Sequence, residues 1–191
     1  MKKFKKALVL FLCAVLLVVG SVMGTLAYLT SNDTVTNTFT VGDVLITLDE
    51  TDVDVNGVKD GDTRVKANDY KLMPGHTYIK DPVVHVDAAS ENCFLYVKVN
   101  NPLVGIEADT KIADQMVENG WTLLNGSTDT YFYKDVCGAG FNISTFTQFT
   151  IRGDIQELGA YDALELTVTA YAVQQDGFNS AQAAWDATFG A

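Results

Sequence analysis

Short runs of β-branched and aromatic residues, closed by turn residues, recur along this chain and constrain its fold more than any other feature. The alternation is strict over residues 34–41: one face carries Val35, Asn37, Phe39 and Val41, and the other carries four threonines. The period of two continues through residues 44, 46 and 48. Further runs of this kind span residues 83–86, 94–99, 130–134, 146–151 and 164–173. Many short strands with turns between them predict an all-β sandwich or barrel.

Two segments depart from this pattern and predict short helices. Residues 108–119 carry apolar side chains at i,i+4 spacing, with Asp109 as a fitting N-cap and Gly120 as a fitting residue beyond the end. Near the C-terminus, Ser180 can cap a helix over residues 181–189. We expect this helix to dock Trp185 on the sandwich. Trp121 is expected in the core.

The first thirty residues have the layout of a secretory signal. Four lysines lie among the first six residues, and an apolar run follows over residues 7–23. Thr25 and Ala27 then occupy the −3 and −1 positions of a cut before Tyr28. We predict a signal peptide over residues 1–27 and one β-sandwich domain over residues 28–191. The alternative is an uncleaved membrane anchor, because about 20 apolar residues suffice to span a bilayer.

The charge of the chain excludes several partners. Removal of residues 1–27 takes away four lysines and no acid, which lowers the formal net charge from −11 to −15. A chain this acidic repels nucleic acid and anionic lipid. We therefore expect no nucleic-acid partner, and contact with a membrane only through the signal segment before cleavage.

Cys93 and Cys137 are the two cysteines left once Cys13 departs with the signal. An even number of cysteines in an oxidising compartment is typical of a disulfide. The alternative is a pair of small buried hydrophobic side chains. A zinc site is not expected, because the chain has no Cys-x-x-Cys spacing.

An acidic stretch over residues 49–62 offers two interpretations. Asp52, Asp54, Asn56 and the glycine after it match positions 1, 3, 5 and 6 of a calcium-binding loop. The match fails at position 12, where Thr63 replaces the bidentate glutamate. The competing interpretation is a β-hairpin that turns at Asn-Gly, a strong hairpin signal. The calcium candidates are therefore weak.

The sequence contains no recognisable catalytic constellation. The predicted exported part has two histidines, His76 and His85, and lacks a His-Glu-x-x-His or Gly-x-Ser-x-Gly motif and a phosphate-binding glycine loop. Histidines placed on a strand and in a turn are usually structural or exposed. We therefore predict that the protein is not an enzyme and needs no metal or other cofactor.

Several blocks of the sequence resemble a known family. Residues 24–30, Gly-Thr-Leu-Ala-Tyr-Leu-Thr, look like the cleavage region read by a SipW-type signal peptidase. Residues 38–42 and 45–48 look like the mature start of TasA/camelysin-type proteins. Residues 72–86 are similar to that family's Pro-Gly … Lys-Asp-Pro segment, and residues 93–99 resemble the strand after it. The resemblance covers most of the chain.

This resemblance implies a secreted, jelly-roll-like β-sandwich that assembles into extracellular fibres of a biofilm matrix, with other copies of itself and a SipW-type peptidase as partners. We predict that cleavage frees residues 34–41 to be donated as a strand to the next copy, where Val35, Phe39 and Val41 fill alternate pockets. The competing interpretation pairs this segment within its own sheet.

Two alternative functions remain from the sequence. Camelysin relatives have been labelled metallopeptidases, but this chain offers no residues that match a metalloprotease motif. A monomeric cell-surface adhesin or carbohydrate-binding sandwich is the other alternative.

Overall fold

A computed structural model of the protein describes residues 2–29, 42–161 and 163–190. The chain divides into two compact units, residues 1–40 and 41–191. In the first unit, a single helix, α1 (Lys2–Leu29), is described. Within the described ranges, no helix combines the length and the apolar character that crossing a membrane requires.

The second unit consists mainly of short antiparallel strands. The strands are β1 (Ile46–Val53), β2 (Lys59–Val65), β3 (Thr77–Ile79), β4 (Val83–Val86), β5 (Cys93–Asn100), β6 (Trp121–Leu123), β7 (Thr130–Tyr133), β8 (Asn142–Ser144), β9 (Gln148–Thr150) and β10 (Thr167–Gln174). The helices are α2 (Ile112–Glu118), α3 (Ala181–Phe189) and a single 3₁₀ turn (Gly159–Tyr161). The prediction of an all-β fold with short helices is confirmed for this unit.

The strands form two four-stranded sheets and one strand pair. The orders are β2-β1-β4-β8, β10-β5-β7-β6 and β3-β9, and every pairing is antiparallel. One core cluster takes side chains from both larger sheets, with Val84 from β4 and Leu95 and Val97 from β5 fully buried. The arrangement is therefore sandwich-like.

A second, smaller core covers the other face of β5. Tyr96 and Phe94 point into it, opposite to Leu95 and Val97, because successive side chains alternate across a strand. Helix α3 closes this core: Trp185 lies 5.0 Å from the Tyr96 ring, and the Tyr96 hydroxyl donates to the Ala181 carbonyl at 2.7 Å. The predicted docking of Trp185 and the core position of Trp121 are both confirmed.

The hairpin interpretation of the acidic stretch is confirmed. Strands β1 and β2 pair across a turn in which Gly57 N–H donates to the Asp54 carbonyl at 2.8 Å. Gly57 has φ of +72°, and a Cβ there would lie 2.7 Å from the Tyr78 Cα. Glycine is required at this position for both reasons.

Helix α2 and strand β10 both begin later than the sequence predicts. The N-cap of α2 is Lys111, not Asp109, and the cap makes no side-chain hydrogen bond. The helix cannot begin earlier because Ala108 N–H donates to the Thr150 carbonyl of β9, while the Glu107 side chain accepts from Ile112 N–H at 3.2 Å. Strand β10 begins at Thr167 rather than at residue 164. The cap by Ser180 is confirmed, since its hydroxyl accepts from the backbone of α3.

Candidate functional site

An open groove of about 1330 Å³ lies beside β1 and β10, which contact each other without pairing. Its walls combine apolar side chains with charged and polar ones such as Asp49, Lys66, Asp69, Lys71 and Glu165. The apolar side chains include Ile46, Leu48, Leu72, Leu103, Phe149, Leu158, Leu166, Val168 and Ala170. Concave sites that combine apolar walls with polar groups are where proteins often take up a ligand or a segment of another chain.

In the part of the chain that the structure describes, strand β10 lies at the edge of its sheet. Among the described residues β5 is its sole strand partner. On β5, Val99 N–H donates to the Asp129 carbonyl at 2.8 Å, so the odd-numbered residues face β7 and the even-numbered ones face β10. Lys98 pairs with Thr169 in this register, and the neighbouring residue Ala170 therefore directs its N–H and C=O away from β5.

Strand β1 is only half paired on its groove side. The β2 ladder begins at Glu50, so the residues before it have β4 as their described ladder partner. The Leu48 carbonyl accepts a hydrogen bond from the Lys66 ammonium instead of from a strand. The edge of β10 and the first half of β1, neither of which has a strand partner on this side among the described residues, thus lie next to each other.

A buried polar cluster interrupts the apolar lining of the groove. Glu50 and Lys80 are 4% and 8% exposed and form an ion pair at 2.7 Å. Asn68 Nδ2 donates to the same carboxylate at 2.9 Å, and the Lys80 ammonium lies 5.8 Å from the Tyr70 ring centroid. These contacts compensate both charges, as burial requires.

Sequence reasoning missed this cluster although one signal was present. Glu50 continues the period of two that begins at residues 44, 46 and 48, which places a charge in the inward phase of a strand. Its partner Lys80 lies thirty residues away, between two short strands, and no local pattern marks it.

A second charged network links strands β1, β2 and β4. Asp49 accepts from Arg64 and, at 2.9 Å, from His85 Nε2. Arg64 also contacts the Asp81 carboxylate at 3.3 Å. Burial alone would raise the pKa of Asp49, but the hydrogen bonds from Arg64 and His85 outweigh it and hold that pKa below its usual value. His85 Nδ1 lies against the Asn142 side chain.

The residues proposed from the sequence as weak calcium ligands make hydrogen bonds within the β1–β2 hairpin. One oxygen of Asp54 accepts from the N–H groups of Asn56 and Val58 at 2.9 Å each, and the other from the Asn56 side chain. Asp52 accepts from the Thr63 hydroxyl at 2.9 Å. The hydrogen bond from Val58, partly opposed by desolvation, lowers the pKa of Asp54.

His76 also has a structural role. Its Nε2 lies 2.8 Å from the Asn56 carbonyl, and its ring packs edge-on against Tyr78. In the parts of the chain that the structure describes, no group of three or more His, Cys, Asp or Glu residues is arranged to hold a metal ion.

The structure brings the two predicted disulfide partners together. Cys93 and Cys137 lie opposite each other in an antiparallel bridge, and each is fully buried. Both are free thiols here, so the disulfide stays a prediction.

The remaining sequence-predicted sites are not tested. Thr25, Ala27 and Tyr28 lie on the last part of α1. Val35, Phe39 and Val41 fall outside the described residues.

Comparison of the chain with protein-family models, with curated proteins and with solved structures gave no significant match. The proposed function below is therefore based on the sequence and on the groove.

Proposed function

We propose that this protein is a secreted structural subunit of extracellular matrix fibres, with a jelly-roll-like sandwich as its body. Export and removal of residues 1–27 by a SipW-type peptidase free the N-terminal segment. One copy then lays residues 34–41 along β10 of the next copy. The observation that carries this proposal is that, among the described residues, β10 is an edge strand beside an open groove with apolar side chains in its walls.

The segment and the groove are complementary in length and in pattern. Residues 34–41 number eight, and β10 also has eight residues. The segment alternates threonines with Val35, Asn37, Phe39 and Val41, so the face with three apolar side chains can enter the groove while the threonine face stays in solvent. Backbone hydrogen bonds to Ala170 and its even-numbered neighbours supply affinity, and the alternate side chains supply specificity.

This contact produces a filament rather than a closed dimer. The donated segment and the accepting groove are different surfaces of the subunit, so each added copy leaves a new groove free. The formal charge of −15 on the processed chain opposes indiscriminate association. Growth therefore depends on the specific strand contact.

The acceptor edge is tested by Ala170→Pro. Proline removes the N–H that faces the groove and leaves the hydrogen bonds to β5 in place. The matched control is Ala170→Val, which keeps that N–H. We expect electron microscopy and light scattering to show fibres for wild type and Ala170→Val, and none for a folded Ala170→Pro protein.

The donor is tested by Phe39→Asp, with Thr38→Asp as the matched control on the opposite face of the alternation. We expect loss of fibres for the first and near-normal growth for the second. Equal growth of both variants would remove residues 34–41 as the donor. If the processed wild-type protein stays monomeric at high concentration, the fibre proposal fails and a monomeric adhesin becomes the better hypothesis.

A further inference from the structure

Cys93 and Cys137 lie directly opposite each other in an antiparallel bridge. Cys93 N–H donates to the Cys137 carbonyl at 2.9 Å, and Cys137 N–H donates to the Cys93 carbonyl at 2.9 Å. Residues that exchange both bonds have Cα atoms about 5.5 Å apart. Disulfides span Cα distances of roughly 4.4–6.8 Å. Because the residues are directly opposite, both side chains point to the same face.

The surroundings offer these thiols almost no other role. Both side chains are 0% exposed and lie within the main apolar core. Among the described residues, the Cys137 thiol donates to the Asp135 carbonyl at 3.6 Å. A pair of opposed, buried thiols in an exported chain fits a structural crosslink.

We propose that Cys93 and Cys137 form an intramolecular disulfide and that it closes while the chain folds, before the core packs. The bond joins the first residue of β5 to the segment after β7, and so encloses α2, β6 and β7 in one covalent loop. This inference rests on export but not on polymerisation.

The timing follows from the reactivity of the two thiols. The thiolate is the nucleophile in disulfide exchange. Burial raises the pKa of Cys93 to about 11. Burial first, and then the neighbouring Cys93, raises the pKa of Cys137 to about 12. Near neutral pH the thiolate fraction is therefore far smaller in the folded protein than in the unfolded chain, and folding also shields both thiols from an oxidant.

The oxidant is a disulfide, either that of an exported dithiol oxidoreductase or, in the test tube, oxidised glutathione. The thiolate of one cysteine attacks the oxidant, which forms a mixed disulfide and releases one thiolate. The thiolate of the other cysteine attacks the protein sulfur of that mixed disulfide, which closes the Cys93–Cys137 bond and releases the second thiolate. The protein loses two electrons and two protons. The oxidant gains the electrons, and its two thiolates take up the protons.

The first test is thiol alkylation and peptide mapping of the exported protein in denaturant. Without reductant we expect neither cysteine to be labelled, and one crosslinked peptide pair to contain both. After reduction we expect both to be labelled. The single variants Cys93→Ser and Cys137→Ser should each show one labelled thiol. Two labelled thiols in unreduced wild type, or a disulfide between two chains, would overturn the proposal.

The second test addresses the timing and needs no variant. Reduced protein is given oxidised glutathione either after folding or during refolding from urea. A rise of the pKa from 9.0 to about 11 lowers the thiolate fraction about 100-fold, and the higher nucleophilicity recovers about tenfold of this. We expect the folded protein to oxidise at least about tenfold more slowly. Equal rates would refute closure before packing.

Discussion

The buried ion pair in the groove gives a prediction whose magnitude follows from the structure. Substitution Lys80→Met removes the cation but leaves the Glu50 carboxylate 4% exposed. Removing one partner of a buried pair costs about 3–5 kcal/mol. The Asn68 amide hydrogen bond and water entry through the open groove can offset only part of this loss. In urea unfolding with a slope of about 2 kcal/mol/M, the midpoint should fall by about 2 M at unchanged slope.

Two further variants separate pairing from packing. In the double variant Glu50→Leu/Lys80→Met the charges are gone, and Asn68 keeps its bond to the Thr51 carbonyl at 2.9 Å. The stability of this variant should return to within about 1 kcal/mol of wild type. Lys59→Met removes an exposed partner of Asp62 and should leave the midpoint unchanged. A Lys80→Met protein as stable as Lys59→Met would show that the pair is solvated and that the reasoning is wrong.

Three further predictions concern the body of the fold. The lowered pKa of Asp49 stabilises the native state fully above pH 3.8, the pKa of the unfolded state, and this contribution disappears as the pH falls through the lower folded-state pKa. In acid titrations of stability, Asp49→Asn should therefore lose less stability than wild type below pH 3.8. An unchanged profile would contradict this. Trp121→Ala should lower the free energy of unfolding, measured in urea, by about 3–5 kcal/mol, because the side chain is 1% exposed. A loss below about 1 kcal/mol would be too small for a cavity in the core and would contradict the placement of Trp121 there. Ser180→Ala should cost about 1 kcal/mol through loss of the α3 cap, with Ser180→Asp as the conservative control.

The sequence predicts the strands whose side chains alternate, because one face of each is buried. Strand β4 was predicted at its observed bounds, and β5 within one residue at each end. Strand β2 was not predicted as a strand in its own right. Its sequence Lys-Asp-Gly-Asp-Thr-Arg-Val has six exposed positions followed by one of intermediate burial, so it carries no apolar signal. It forms because the turn at Gly57 folds the chain back along β1.

The candidate site could not be predicted because it is made by distant segments. β1 and β10 are separated by more than one hundred residues, and neither contains a motif that reports the other. The start of α2 was mispredicted for the same reason. Next to the predicted first turn of the helix, Glu107 instead forms a β-bridge with the distant residue Ile151. Local periodicity gives the elements, whereas long-range pairing decides where they begin and which edges remain open.

The N–H groups along β10 point alternately toward β5 and toward the opposite edge of the strand. Amide hydrogen exchange can therefore report whether another strand occupies that edge. The amides of Thr169 and Tyr171 bond to β5 and are protected in a single copy. The amides of Val168, Ala170 and Ala172 point to the open edge, where exchange with solvent is fast. A strand added at this edge would slow the exchange of these three amides and leave that of Thr169 and Tyr171 unchanged. If a donated strand pairs with β10, the alternation of slow and fast exchange along this strand should therefore disappear.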